Sequence, residues 1–535
     1  MFRQTTNIAE PSGRCTAGAR ALLYLAVLAT AGLALTPWAA HGKPPNILFI
    51  LTDNQAASLL GSYGNPDIRT PNIDRLAREG ARFSRAYAVN GMCSPTRATL
   101  MTGLMPSQHG IHNWLDDAML EQWPADWSAI AEFRTLPLTL KNRGYRTALI
   151  GKWHLGQPWK PSIGYQHWVT FKDGHTVDFW DNTVIDNART YRVNDQHIVD
   201  FFTEKAVEYI EAQDGEEPFY LQLNYDGPYL NPPTNLGPAR NRFYRDYAGR
   251  EFKSFPRVAF NRNLTEQLLY PDRYAVTPFL LQKFREALEM HNDPATMANV
   301  ASQNTLVDDG VGKVLAALKR KRLDHNTLVI FSSDQGNFYG QHGLWQHTVV
   351  TAPSNLHETA MNIPLILRHP GRIEPGRVLA ELIGQYDIPV TLLDYLGIDD
   401  ASFSGSPGRS FSALLHGEPA PWTDKVFFEQ EETRGIRTRR FSYWKRLETT
   451  GEPELYDMDT DPGQTRNVYG DAAYADAGAR MDKELDAFFR QYSDRQYDLW
   501  RGGTAKGSVI RPQVFRRIYG PDWAPETKML PPFQE

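Results

Sequence analysis

Cys93 begins a short segment whose residue types could act on an anionic substrate. The chain has only two cysteines, Cys15 and Cys93. Pro95 stands where the first turn of a helix tolerates proline, so a helix is expected to start near Cys93. Arg97 and the positive end of that helix could then neutralise a deprotonated nucleophile at Cys93. A lone cysteine is more often a small buried apolar residue, so the chemical interpretation depends on residues elsewhere.

Two acidic and amide pairs could bind a cation. Asp53-Asn54 and Asp334-Gln335 each follow an apolar run of the kind that forms a buried strand. Their four side chains offer oxygen donors, which suit a hard cation such as Ca²⁺ better than zinc. Mg²⁺ fits this set less well, because the pairs combine carboxylates with amides. The alternative is that each aspartate only caps the loop that follows it.

Lys152 and His154 follow another apolar run. They are two residues apart in a segment expected to be extended, so both side chains can point to one face. A lysine supplies a point charge for an anion, and a histidine can transfer a proton to or from a leaving group. The Lys-x-His spacing says little without the other residues.

The elements that would position these residues alternate along the chain. Apolar runs at 46–52, 146–150, 218–224, 327–333 and 364–368 predict strands, and helices are predicted between them, including 195–212 and a long one over 294–322. This order predicts an α/β fold with a doubly wound, mostly parallel central sheet flanked by helices. Ligands of such sheets bind at the carboxyl ends of the strands, where the polar pairs stand.

Length and composition suggest four segments. Residues 1–42 resemble a cleaved signal peptide, because arginines precede a fifteen-residue apolar run that is followed by small residues. The alternative, a membrane anchor, requires a run of about 20 residues. We expect an α/β domain over 43–419, a C-terminal α+β subdomain over 420–500, and a tail over 501–535 that wraps the surface without a core of its own. The predicted signal peptide implies that the mature protein is periplasmic or secreted, with no stable membrane anchor. Its net charge of −5 disfavours nucleic acid as a partner.

Six blocks of the sequence resemble the type I sulfatases, in the order that the family has them. The first two contain Asp53-Asn54 and the run from Cys93 to Gly103, with its Cys-x-Pro-x-Arg pattern. The blocks are Ile47 to Gln55, Cys93 to Gly110, Leu149 to Gly156, Phe331 to Trp345, Ile363 to Gly371 and Glu454 to Asn467. The resemblance implies the alkaline-phosphatase-like fold.

The resemblance also implies a reaction. Cys93 would be converted by a maturation enzyme to formylglycine, whose hydrated form attacks sulfur with the help of the metal and Arg97. The second hydroxyl would then lose its proton, to His154 by this reading, and sulfate would leave as the aldehyde re-forms. Lys152 would bind sulfate oxygens. The calcium ligands would be Asp53, Asn54, Asp334, Gln335 and the converted Cys93.

Four positions depart from the usual pattern of the family. Asn54 replaces a second aspartate, and Gln335 replaces a histidine or asparagine. Tyr229 stands where relatives often have a substrate-contacting histidine, and His347 stands where they have a lysine. Both are candidate substrate contacts. Six tryptophans cluster between the blocks, and we expect most of them to pack in the core, with one or two lining the pocket entrance: Trp123, Trp127, Trp153, Trp159, Trp168 and Trp180.

The sequence therefore predicts an exported, calcium-dependent formylglycine sulfatase acting on an aryl or carbohydrate sulfate ester. One alternative is a phosphonate monoester or phosphodiester hydrolase that uses the same nucleophile. The other is a catalytically silent protein that binds sulfated glycans, an idea prompted by Asn54, Gln335 and Tyr229.

Overall fold

A computed structural model of the protein describes residues 1, 43–115, 123–172, 174, 178–230, 235–272, 276–348, 351, 353–447, 451–525 and 532–533. Residues Pro45–Glu535 form one compact unit. The predicted signal peptide lies outside the described residues. In the part of the chain that the structure describes, no helix has both the length and the apolar character needed to cross a membrane.

The first strand, β1 (Asn46–Thr52), forms the middle of the fold. All seven of its residues are buried, as its continuous apolar sequence predicts for a strand covered on both faces. It pairs in parallel with β7 (Phe219–Asn224) on one side and with β8 (Thr327–Ser333) on the other. The register places Thr52 beside Ser333, so the residues that follow β1 and β8 leave the sheet at the same level.

A ten-stranded sheet extends from this centre in the order β12-β2-β11-β8-β1-β7-β3-β4-β5-β6. The strands β8, β1, β7, β3 and β4 are parallel, while β11 runs antiparallel between β8 and β2. The predicted doubly wound α/β fold is confirmed. The remaining strands of this sheet are β2 (Ala81–Tyr87), β3 (Arg146–Gly151), β4 (His167–Phe171), β5 (Asn182–Asp186), β6 (Arg189–Val193), β11 (Asn362–Arg368) and β12 (Arg377–Gly384).

Helices cover the sheet. In the described residues they are α1 (Pro71–Glu79), α2 (Cys93–Thr102), α3 (Pro106–His109), α4 (Leu136–Asn142), α5 (Ile198–Glu211), α6 (Arg262–Leu269), α7 (Pro278–Met290), α8 (Pro294–Arg320), α9 (Glu358–Met361), α10 (Asp387–Tyr395), α11 (Ser412–Leu415), α12 (Ala475–Tyr492) and α13 (Pro512–Tyr519). The long α8 packs against α1 and α5. Its N-terminus is capped by Asp293, which accepts hydrogen bonds from the amides of Ala295 and Thr296.

A second sheet lies toward the C-terminus. It is antiparallel, in the order β13 (Lys425–Gln430), β14 (Thr433–Thr438), β15 (Phe441–Arg446), β16 (Glu454–Asp457), and α12 packs on β14 and β15. A short two-stranded ribbon, β9 (Phe338–Tyr339) with β10 (Trp345–Gln346), follows β8. The domain boundaries at residues 419 and 500 stay predictions.

The segment after residue 500 buries more than the expected surface-wrapping tail would. Val514 and Phe515 of α13 belong to an apolar cluster with Leu499 and Ala505. Lys506 is buried as well, and its ammonium group donates to the backbone carbonyl of Ala129 at 2.9 Å. Val514, Phe515, Ile518 and Tyr519 recur at helical spacing, so α13 presents one apolar face to this cluster. The surface-wrapping tail over 501–535 stays a prediction.

Candidate active site

The carboxyl ends of β1 and β8 bring the two acidic and amide pairs together. Asp53 and Asp334 are fully buried. The backbone amide of Asn54 donates to Asp334 Oδ1 at 3.2 Å, and the side-chain amides of Asn54 and Gln335 are in contact at 2.5 Å. The strand register explains this meeting, since neighbouring parallel strands end at the same edge.

Cys93 is the first residue of α2 and points into the same cluster. Its Sγ lies 3.7 Å from Asp53 Oδ1, 3.6 Å from Lys152 Nζ and 3.2 Å from Gln335 Nε2. The side chain is buried, with 2% of its surface exposed. Met92 precedes the helix with extended backbone angles, and Thr96 Oγ1 donates to the carbonyl of Cys93 at 2.7 Å. The helix start therefore holds the thiol at the edge of the sheet.

Arg97 joins the two pairs. Its Nη2 donates to Asp53 Oδ2 at 2.8 Å and to Asp334 Oδ2 at 2.7 Å, while Nη1 donates to the carbonyl of Lys152 at 3.1 Å. All three side chains are buried, so these bonds are shielded from solvent. One turn of α2 separates Arg97 from Cys93, which places the guanidinium directly behind the thiol.

Lys152 is held between two carboxylates and a tyrosine ring. Its Nζ lies 2.7 Å from Asp53 Oδ2, 3.5 Å from Asp226 Oδ1 and 4.4 Å from the centre of the Tyr229 ring. Lys152 follows Gly151, whose φ of 113° and close approach to β7 exclude a side chain: a Cβ there would lie 1.8 Å from the carbonyl oxygen of Asn224. This glycine lets the chain turn Lys152 into the cluster.

Asp226 was not singled out from the sequence as a functional residue. It stands two residues after the end of β7, with Tyr225 between, and it is fully buried. An acidic residue close to the end of a buried apolar strand is the signal that could have identified it. Tyr229 belongs to the same loop, so the ring expected to contact substrate lies beside Lys152.

His154 and His347 are also buried near this cluster. His154 has a left-handed φ of 55°, uncommon for a residue other than glycine, and its Nε2 contacts the carbonyl of Leu115 at 3.1 Å. The amide of Leu115 in turn donates to Ser94 Oγ at 3.0 Å, so His154 is coupled to the residue after Cys93. His347 is close enough to Asp53 that a positive charge on its ring lowers the pKa of that carboxyl.

The charges of the cluster are coupled. Burial and the neighbouring Asp53 raise the pKa of Asp334 to about 7, although Arg97 opposes this. Burial would also raise the pKa of Asp53, but Lys152 and Arg97 lower it below its usual value. Burial, with Asp53, raises the pKa of the Cys93 thiol, so this cysteine is not set up as a thiolate.

The cluster fits a divalent cation. Donor atoms of Asp53, Cys93 and Asp334 lie within 4.8 Å of one another. Gln335 Oε1 is buried, and among the described residues it accepts no hydrogen bond. Two carboxylates, an amide oxygen without a partner and a second amide at Asn54 form the oxygen-rich set that calcium takes, with Cys93 at its edge.

Comparison with protein families gives two matches. The family model for sulfatases matches residues 45–398, and the model for the C-terminal region of N-sulphoglucosamine sulphohydrolase matches residues 340–491. Among curated proteins, the N-acetylglucosamine-6-O-sulfatase of Bacteroides thetaiotaomicron is 28% identical over 538 residues, which cover 89% of this chain and 92% of that protein.

Solved structures share the fold. A protein in complex with its substrate D-glucosamine-2-N,6-O-disulfate superposes with a TM-score of 0.67 at 24% identity, covering 85% of this chain and 99% of the other. The phosphonate monoester hydrolase of Agrobacterium radiobacter gives a TM-score of 0.65 at 23% identity, covering 84% and 96%. The sulfatase model spans well over half of the sequence and includes every residue of the cluster. The chain therefore belongs to the sulfatase family, the enzymes that hydrolyse sulfuric esters.

Proposed function

We propose that this sulfatase hydrolyses a carbohydrate sulfate ester with a formylglycine made from Cys93 and a calcium ion held beside it. The observation that carries the proposal is the convergence on Cys93 Sγ of three groups from three different elements: Asp53 at 3.7 Å, Lys152 at 3.6 Å and Gln335 at 3.2 Å. A buried cysteine with only a packing role would not need an ion-pair network around it.

The residues around Cys93 suit transfer of a sulfuryl group. Formylglycine supplies a hydrated aldehyde with two hydroxyls, one to attack sulfur and one whose deprotonation expels sulfate, so no water is needed to hydrolyse a stable ester. Lys152, fixed by Asp53 and Asp226, presents a cation to the sulfate oxygens. Arg97 stabilises negative charge at the nucleophile, and His154 accepts the proton that the second hydroxyl gives up.

A bound calcium ion would supply positive charge opposite the sulfate oxygens. Its ligands would be Asp53, Asn54, Asp334, Gln335 and the converted Cys93. We expect added calcium to stabilise the protein by about 2.7 kcal/mol at a concentration 100 times its dissociation constant, because only the folded chain assembles these donors. Asp334→Asn should abolish this gain, as measured by urea unfolding with calcium or with chelator.

A matched control for this measurement is Asp387→Asn. Asp387 is also a fully buried carboxylate, and it accepts hydrogen bonds from the amides of Gly384 and Arg409, both at 2.8 Å. Its variant should keep the calcium-dependent gain whatever its own stability. An equal gain in wild type and Asp334→Asn would place the ion elsewhere and contradict the proposed ligand set.

The sugar substrate is inferred from the N-acetylglucosamine-6-O-sulfatase relative. The test is release of sulfate from N-acetylglucosamine 6-sulfate and from an aryl sulfate, beside hydrolysis of an aryl phosphonate monoester. We expect both sulfates to be cleaved far faster than the phosphonate. The opposite order would favour the second candidate, a phosphonate monoester hydrolase, which the fold shared with the Agrobacterium enzyme brings into consideration. Glycan binding with no hydrolysis by fully converted protein would instead support the catalytically silent alternative.

Export is part of the proposal. The apolar run from Ala21 to Leu35, preceded by Arg14 and Arg20 and followed by small residues, supports cleavage of a signal peptide near residue 42. Extracellular or periplasmic placement would also suit a protein that degrades sulfated polymers. The mass of the protein secreted from its own host would locate the cleavage site.

A further inference from the structure

Asp226 brings a third carboxylate to the place where the ester would bind. Its side chain is fully buried, and its Oδ1 lies 3.5 Å from Lys152 Nζ. Lys152 already has a closer anionic partner, because Asp53 Oδ2 lies 2.7 Å from the same ammonium group. One cation therefore stands between two carboxylates, and only Asp53 belongs to the donor set proposed for calcium. The hydrolysis of a sulfate ester gives Asp226 no step of its own.

The loop that carries Asp226 is fixed by its backbone and by packing. The amide of Asp53 donates a hydrogen bond to the carbonyl of Gly227 at 3.2 Å, which ties this loop to the end of β1. A Cβ added to Gly227 would lie 3.3 Å from the side chain of Val199 and 3.5 Å from that of Val307, so the loop packs closely on α5 and α8. The backbone therefore holds the Asp226 carboxylate beside Lys152, and we expect it to stay there when an anion binds.

Asp226 is also close to the position of the reacting group. Lys152 Nζ lies 3.6 Å from Cys93 Sγ and 3.5 Å from Asp226 Oδ1. The carboxylate is therefore within roughly 7 Å of the nucleophile, a distance at which two unit charges interact strongly at an effective dielectric constant of about 20. All three side chains are buried, so little water or salt screens this interaction.

Tyr229, in the same loop, adds no charge to this part of the site. Burial raises the pKa of its phenol well above the usual value, although Lys152 opposes this, so the hydroxyl group is neutral. Its ring covers one side of the Lys152 ammonium group, with 4.4 Å between Nζ and the centre of the ring. The ester therefore meets a lysine whose charge is already shared by two carboxylates. Such a site suits an anion with one negative charge better than an anion with two.

We propose that Asp226 determines the specificity of the site by repelling dianionic esters, so that a sulfate ester is hydrolysed and a phosphate monoester is rejected. The inference rests on the proposed function and deepens it, since it assigns a residue to the choice of substrate. A sulfate ester carries a single negative charge, whereas a phosphate monoester carries close to two at neutral pH. The second charge would be buried near the Asp226 carboxylate, and this repulsion disfavours the wrong substrate without adding a contact to the right one.

The test compares three esters that share one aryl leaving group: a sulfate, a phosphonate monoester and a phosphate monoester. The phosphonate monoester contains phosphorus but carries a single charge, so it separates the effect of charge from the effect of the element. The measurement is kcat/KM of the full-length protein at pH 8, where the phosphate monoester is a dianion because its second pKa is about 6. Asp226→Asn should raise the phosphate-to-sulfate ratio about tenfold or more, and should leave the phosphonate-to-sulfate ratio unchanged.

Two further variants act as controls. Asp226→Glu keeps the negative charge, so it should keep the phosphate-to-sulfate ratio of the unsubstituted enzyme even where a poorer fit lowers both rates. Asp387→Asn neutralises another fully buried carboxylate, one that bonds the amides of Gly384 and Arg409, and it should leave the ratio unchanged. If Asp226→Asn does not fold, Asp226→Ser, which is neutral and smaller, takes its place in the same comparison.

An unchanged phosphate-to-sulfate ratio in Asp226→Asn would overturn the inference. An equal rise in the phosphonate-to-sulfate ratio, or the same rise in Asp226→Glu or Asp387→Asn, would also overturn it, because charge at this position would not be the cause. The sulfate and phosphonate rates of the unsubstituted enzyme test the proposed function separately. In a phosphonate monoester hydrolase the phosphate-to-phosphonate ratio would still compare a dianion with a monoanion, so failure of one proposal is distinguishable from failure of the other.

Discussion

Replacing Cys93 with alanine is expected to lower sulfate ester hydrolysis by about 10⁴- to 10⁶-fold, the range seen when an enzyme loses its covalent nucleophile. The methyl group of alanine leaves no atom that can be converted to the aldehyde. Substrate binding should survive, because Lys152 and Arg97 keep their carboxylate partners. The measurement is kcat with a sulfate ester, beside calorimetric binding of the same ester.

Cys93→Ser is the matched control for packing, because it keeps the size of the side chain and a hydroxyl at the same place. A single hydroxyl could be sulfated but has no second hydroxyl to expel sulfate, so we expect at most one turnover. Peptide mass of the Cys93 segment should show loss of sulfur in active protein. Full activity in Cys93→Ala, or an unmodified thiol in fully active enzyme, would contradict the proposed nucleophile.

The central strands could be predicted because burial on both faces makes their sequences continuously apolar. This holds for β1, whose residues are all buried, and for β8. The strand β2 was not predicted, because its alternation of apolar and polar residues breaks where Arg85 directly follows Ser84. Arg82 and Arg85 are only partly buried. One of them, Arg82, lies over the ring of Tyr63 at 4.8 Å. Near the edge of the sheet, contacts with residues distant in the sequence determine which side chains are buried. The periodicity of the local sequence therefore gives little information there.

The cluster around Cys93 could be predicted as a set of residues but not as a geometry. Residue types and strand ends were enough to select Asp53, Lys152 and Asp334. They did not reveal that one guanidinium, Arg97, bonds both carboxylates, because this depends on the register between β1 and β8. The roles of individual residues stay predictions until the variants are measured.

One departure from the usual sulfatase pattern changes the charge of the cluster. Asn54, where the resemblance implies a second aspartate, removes one negative charge. Three buried carboxylates (Asp53, Asp226 and Asp334) then face two cations, Lys152 and Arg97. With a neutral His347 ring and the proposed divalent cation bound, the remaining negative charge, the cation and the single charge of a sulfate ester would sum to zero. This balance favours a monoanionic ester over a dianionic phosphate monoester, whose extra charge would be buried without a partner.

The charge balance makes Arg97 a residue whose loss should strongly lower the free energy of unfolding. In Arg97→Met the carboxylates of Asp53 and Asp334 lose their shared partner while remaining buried, so we expect the free energy of unfolding in chelator to fall by about 3–5 kcal/mol. Arg97→Lys should recover only part of this, because one ammonium group cannot reproduce the planar fork that bonds both carboxylates. Urea unfolding measures both variants, and sulfate ester hydrolysis should be lost in each.

Arg434 provides the control, because it too is a buried arginine that bridges two carboxylates, Glu429 at 2.7 Å and Asp498 at 2.6 Å. Arg434→Met should destabilise the protein to a similar extent, yet keep hydrolysis at temperatures where it remains folded. Its position in the second sheet leaves the groups around Cys93 in place. If Arg97→Met kept hydrolysis as well as Arg434→Met does at temperatures where both remain folded, Arg97 would act only through stability, and its proposed role beside the nucleophile would be refuted.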